Sequence, residues 1–254
     1  MADPRIERDE FYVGYLPEAP TGVARHTRRW VFAVVALAAG VAAALVLGQR
    51  PFDVAFFEFG SPRSFEGVIR LEPYPRLVVD APGQGGGASS YYLVAEFKHG
   101  ADAEVADLDG RRARLEGTLV YRDDQTMLEV VAGTAEDLGP AQGPQPRVES
   151  LGRRTVRGEI VDSKCYLGVM KPSTWKPHRA CASLCIRGGI PPIVVVRRGD
   201  DDLHHLLLVG EDGRALGKEV LDFVAEPVEI PGEVVRMDDL WVLRAEPTSF
   251  KRLL

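Results

Sequence analysis

The chain has 254 residues, of which 45% are hydrophobic and 27% charged, with a formal net charge of −6. That length can bury one large core or two small ones, and an acidic balance without any Lys/Arg block excludes a nucleic-acid-binding surface. Three cysteines are too few for a disulfide-built scaffold and odd in number, so any simple pairing leaves one thiol over.

Residues 1–29 mix charges with Pro17, Pro20 and Gly22 and show no sustained apolar period, so they read as a tail. From Trp30 to Gly48 the chain carries no charge and is long enough to cross a bilayer as a helix. Arg25, Arg28 and Arg29 crowd its N-terminal side, whereas Arg50 alone follows closely. The positive-inside rule then puts residues 1–29 in the cytoplasm and everything beyond about Pro51 outside it. A cleaved signal peptide is the competing reading, but its n-region would be long and no small-x-small site follows. Thr27-Arg28-Arg29-Trp30 looks somewhat like a twin-arginine signal, although paired arginines beside a membrane helix are commonplace.

Beyond the helix, short runs of Val, Leu, Ile and aromatic residues alternate with Gly, Pro and Asp turn signals, which predicts a mainly β region. Strands are expected over 67–71, 76–79, 91–97, 114–121, 126–131, 155–161, 193–197, 204–209, 228–236 and 240–245. The Pro/Gly-rich stretch 139–152 separates two β domains, 60–138 and 153–254. An internal repeat links them. Gly117-x-x-Val120-x-x-Asp123-Asp124 with Leu128 matches Gly232-x-x-Val235-x-x-Asp238-Asp239 with Leu243, and Gly67-Val-Ile69 matches Gly158-Glu-Ile160. The expectation is two tandem OB-like small barrels. The second copy is longer by roughly the length of segment 163–190, which therefore reads as an insertion bearing function. The first copy, without thiols, reads as a spacer or docking module.

That insertion holds every cysteine and one of the five histidines. Pro177 opens and Gly188-Gly189 close a predicted short helix, which places His178, Cys181 and Cys185 at i, i+3 and i+7 on one face, with Cys165 arriving from the preceding strand. Three chemistries are open for these residues. A disulfide from Cys165 to Cys181 or Cys185 would staple the insertion and leave one thiol. A Cys₃His set suits zinc, and its thiolates also suit copper or an iron–sulfur cluster. Thiol redox chemistry is the third, with Lys164, Lys171, Lys176, Arg179 and Arg187 nearby to lower a thiol pKa or simply to form a solvated face.

Other constellations are weaker. His204-His205 lies in an expected strand, where neighbours face opposite ways, and His99 is a turn residue. The two Asp-Asp pairs suit hairpin turns better than paired catalytic carboxylates, and Gly83–Gly87 lacks the strand–loop–helix context of a phosphate loop. No nucleophile–base arrangement is readable.

The ordered elements Gly158-x-Ile-Val-Asp162-x-x-Cys165-Tyr-Leu167, His178-x-x-Cys181-Ala-x-x-Cys185 and Gly189-x-Pro191 resemble a group of small exported bacterial OB-like domain proteins, over about residues 155–246. The resemblance implies an OB-like fold with a Cys/His site and a bacterial source, and brings no established activity or cofactor. The layout of stub, helix and exported barrel is also similar to the haem chaperones of cytochrome c maturation. The tail Thr-Ser-Phe-Lys-Arg-Leu-Leu has no histidine, however, and Cys-x-x-Cys-His is absent, so haem chemistry is disfavoured. The resulting expectation is a single-pass inner-membrane protein with periplasmic barrels and no evident catalytic machinery. It would serve as an accessory or structural subunit of a respiratory or other redox complex, with the bilayer and other membrane subunits as partners.

Overall fold

The computed structural model describes residues 19–48, 54–80, 88–141, 147–196 and 205–253. The chain divides into two units, 1–53 and 54–254. The described part of the first is one helix, α1 (Thr21–Gly48), 28 residues long with none of them buried, and long and apolar enough to cross a membrane. It starts nine residues before the expected Trp30, because Pro20 is the last residue that cannot sit inside a helix and its carbonyl accepts the first bond, from Ala24 N–H at 2.9 Å. Residues 21–29, expected as tail, are helical.

The second unit is mainly β. Its strands are β1 (Ala55–Phe57), β2 (Arg63–Arg70), β3 (Arg76–Asp80), β4 (Ala88–Val94), β5 (Arg111–Arg122), β6 (Gln125–Val130) and β7 (Glu136–Pro140), then β8 (Val148–Asp162), β9 (Pro192–Val196), β10 (His205–Val209), β11 (Pro227–Met237), β12 (Leu240–Arg244) and β13 (Lys251–Arg252). Strands β2-β3-β4-β6-β5 close into one five-stranded barrel, and β8-β9-β10-β12-β11 close into another in the same order. In each, one parallel pair completes the circle: β4 with β6, and β10 with β12. The short helix α2 (Asp102–Val105) follows β4, and the turn Lys218–Phe223 follows β10 in the corresponding place.

The repeated glycines sit where strands cross. Gly117 divides the part of β5 that pairs with β2 from the part that pairs with β6, and a Cβ there would lie 2.6 Å from Leu128 Cγ. A Cβ on Gly232 would lie 2.8 Å from Leu243 Cδ1 in the same way. The aspartate pairs form the β5–β6 and β11–β12 hairpin turns, with Asp123 and Asp238 in the left-handed region at φ 53° and 54°.

Alternation along the strands explains why several read as unbroken apolar runs. Ile160, Val194, Leu208, Val234 and Leu243 point into the second barrel, while their neighbours Val161, Ile193, Leu207, Val235 and Val242 point outward into a shared cluster with Tyr92, Val94, Val120 and Met127 of the first. Both faces of these strands are buried because one barrel covers the other. Polar locks cross the same junction. Tyr74 Oη donates to Leu208 and Leu216 carbonyls, each at 3.0 Å, and accepts Leu216 N–H at 2.8 Å, while Ser90 N–H donates to Asp239 at 2.8 Å.

The expected linker 139–152 is shorter than its composition implies. Residues 148–152 belong to β8, because their backbone pairs with β11 as far as Met237↔Val148, and 139–140 belong to β7 on β5. Residues 142–146 lie outside the described part, as do the loop Gly83–Gly87 and His204.

Candidate functional site

The two barrels differ most in their first connection, which spans 71–75 in the first barrel and 163–191 in the second. The longer segment makes a wide helical turn over Cys165–Val169, a tight turn over Lys176–His178 and then α3 (Arg179–Arg187), ending at Gly188. Its two ends are tied to each other and its middle is pinned to β8. Ser163 N–H donates to Pro191 O at 3.0 Å, and the buried Glu159 accepts the Trp175 N–H.

The four predicted residues gather in two overlapping groups that share Cys165. Cys165 leaves the end of β8, His178 precedes α3 as its N-terminal cap residue rather than lying within it, and Cys181 and Cys185 sit one turn apart on α3. Donor atoms of Cys165, His178 and Cys181 lie within 4.8 Å of one another, as do those of Asp162, Cys165 and Cys185. Cys165, Cys185 and His178 are buried, and Cys181 is half-buried.

Asp162, wholly buried at the end of β8, organises the site. One carboxylate oxygen accepts Cys165 N–H and the other accepts from His178 Nε2, both at 2.8 Å. This leaves Nδ1 as the ring nitrogen with a free lone pair, the arrangement in which a carboxylate orients a ligand histidine. Cys165 Sγ and Cys181 Sγ are 4.0 Å apart, and all three cysteines are free thiols. A disulfide needs about 2.05 Å. A tetrahedral ion with metal–sulfur bonds of about 2.3 Å sets its sulfurs roughly 3.8 Å apart, close to the observed spacing.

The nearest cation comes from the first barrel and was not anticipated. Lys98 Nζ lies 2.8 Å from Cys181 Sγ and 3.7 Å from Cys185 Sγ. Contact with the Cys181 sulfur raises the Lys98 pKa. The hydrogen bond between Cys165 and Cys185, followed by burial, drives the Cys165 thiol far above its ordinary value, and the same bond holds Cys185 below it. Of the basic residues expected around the site, Lys164 turns the other way. Its ammonium is buried against Glu129 and the carbonyls of Ala95 (2.8 Å) and Phe97 (2.9 Å), all in the first barrel. Arg179 pairs with Glu226, and Lys171, Lys176 and Arg187 are exposed.

Asp162 was legible beside Cys165 but carried no signal of its role. Lys98 had none, since only the docking of the barrels brings the turn Phe97–Lys98 to α3. His205 is buried with its ring 5.9 Å from that of Tyr166, and His99 occupies an exposed turn. No protein-family model matches the chain, and no curated protein is detectably similar to it.

Proposed function

We propose that this protein is a membrane-anchored carrier of a soft-metal centre built from Cys165, His178, Cys181 and Cys185. The observation that carries the reading is the grouping of Cys165 and Cys181 with a carboxylate-oriented histidine, at a sulfur spacing suited to a tetrahedral ion, with Cys185 adjoining through Cys165 and Asp162. Zinc fits this donor set best, and copper(I) is the main competitor for its thiolates. The strand order with a parallel closing pair supports OB-like barrels, and the unequal first connections support segment 163–190 as an insertion into the second. Arg25, Arg28 and Arg29, in the N-terminal part of α1 ahead of its uncharged run, support a cytoplasmic N-terminus and barrels on the far side of a bacterial inner membrane. In that setting the protein serves as an accessory subunit of a redox membrane complex. Its exposed Phe59 and Phe97, each 81% accessible, supply apolar surface for a partner.

The test is elemental analysis and thiol counting on protein purified from native membranes. One metal per chain with three reduced cysteines is expected, and Cys165→Ser should lose the metal. Metal-free protein whose melting ignores chelators would sink the reading. Endogenous partners should co-purify in detergent, and a strictly monomeric protein would remove the subunit role.

A second reading, thiol–disulfide exchange, is favoured by the approach of half-buried Cys181 to buried Cys165. A Cys165–Cys181 disulfide in a non-reducing digest would support it over metal binding.

A further inference from the structure

We propose that Lys98, carried by the first barrel, is a positioning and charge-balancing partner of the Cys/His centre in the second, so that the centre is complete only when the barrels are docked. The proposal rests on the metal reading above.

The position of Lys98 is built rather than incidental. Gly100 N–H donates to Gly188 O at 2.8 Å, tying the far side of the turn to the end of α3. Lys164, next to Cys165, holds the Ala95 and Phe97 carbonyls on the near side. Gly188 has no Cβ, and one there would fall onto the Lys98 carbonyl oxygen, so the turn packs directly on α3. Phe97 takes a left-handed conformation (φ 58°) that aims the turn at the site. Both flanks of Lys98 are thus fastened to the segment that carries the thiols.

The charge argument is independent of this geometry. Three thiolates and a neutral imidazole around a divalent ion sum to −1, and around a monovalent ion to −2, beside an Asp162 carboxylate that is wholly buried. Within the segment itself, Lys164 is committed to Glu129 and Arg179 to Glu226, while Lys171, Lys176 and Arg187 stand exposed at the surface. Among the described residues, Lys98 is the cation in contact with the sulfurs, and an N–H···S bond from it both offsets the excess negative charge and fixes the lone-pair direction of Cys181.

The full chain in detergent micelles would be titrated with Zn²⁺ against a chelator, and with Co²⁺ as a spectroscopic probe, for the parent protein, Lys98→Gln, Lys98→Arg and the surface control Lys251→Gln. The expected result is about tenfold weaker Zn²⁺ binding in Lys98→Gln, with a displaced thiolate-to-cobalt absorption band. Lys98→Arg should recover most of the loss, and Lys251→Gln should match the parent. Metal-free Lys98→Gln should melt as the parent does. Parent-like affinity and spectrum in Lys98→Gln would overturn the inference while leaving the metal centre intact. A fall in metal-free melting that accounts for the whole loss would make Lys98 merely structural and also overturn it. A parent protein that takes no metal would remove the metal reading itself and this inference with it.

Discussion

Asp162 and Lys164 flank the start of the thiol segment, and each is buried for a different purpose. Asp162 fixes His178 and the Cys165 backbone from one carboxylate. Replacing it with Asn keeps the shape but removes the charge that holds the histidine tautomer. Asp162→Asn should therefore weaken metal binding by about 10- to 100-fold, read by chelator competition, and unchanged affinity would deny the carboxylate this role. Lys164 is 1% exposed and satisfied wholly by groups of the first barrel. Lys164→Met strands Glu129 without its cation and two carbonyls without their donor. The expected cost is about 3–5 kcal/mol, measurable as a lower denaturant midpoint, and a loss below about 1 kcal/mol would mean that water replaces the ammonium. Asp162 and Lys164 stand in plain view beside Cys165 in the sequence. The partners of Lys164 lie in the first barrel, and the bond from Asp162 to His178 depends on how the segment between them folds, so neither role was legible there.

At the scale of elements, local chemistry predicted most of the strands and the short helix. Gly117 and Gly232 mark matching strand crossings, and the Asp-Asp pairs mark matching hairpins, which is why the repeat was readable as two copies of one architecture. The unanticipated strands β1, β7 and β13 are short pieces paired only at the ends of longer ones, where side-chain pattern carries little signal. The end of α3 shows how an element depends on its neighbour. Gly188 is the residue on which the Phe97–Lys98 turn rests, so Gly188→Ala should push the turn away. A loss of about 2 kcal/mol in stability, together with weaker metal binding, is expected from thermal melting and titration. A variant that keeps both would show that the turn can shift freely.

At the scale of the molecule, a buried hydrophobic cluster lies between the barrels and joins Tyr92, Val94, Val120 and Met127 to Val161, Leu207, Val235 and Val242. Such a junction behaves as a core rather than as a flexible domain contact. Residues 54–254 should unfold in urea as one cooperative transition by fluorescence and circular dichroism, whereas two separated transitions would mean independent barrels. A fragment spanning 54–141 would expose that outer face and should aggregate or remain partly folded.

The sequence by itself determined the apolar helix, the β-rich class, the duplicated barrel pattern and the gathering of thiols and histidine in one segment. These depend on short-range patterning: an uncharged run, alternation, turn residues, and ligands close together along the chain. Only the tertiary structure decided that the barrels share a buried face, that residues 148–152 extend β8 instead of linking domains, and that a lysine from the first barrel meets the cysteines of the second. Those outcomes depend on which outward faces find each other when the two barrels pack. The apolar runs of β8, β9 and β10 announce burial on both sides without naming what covers them.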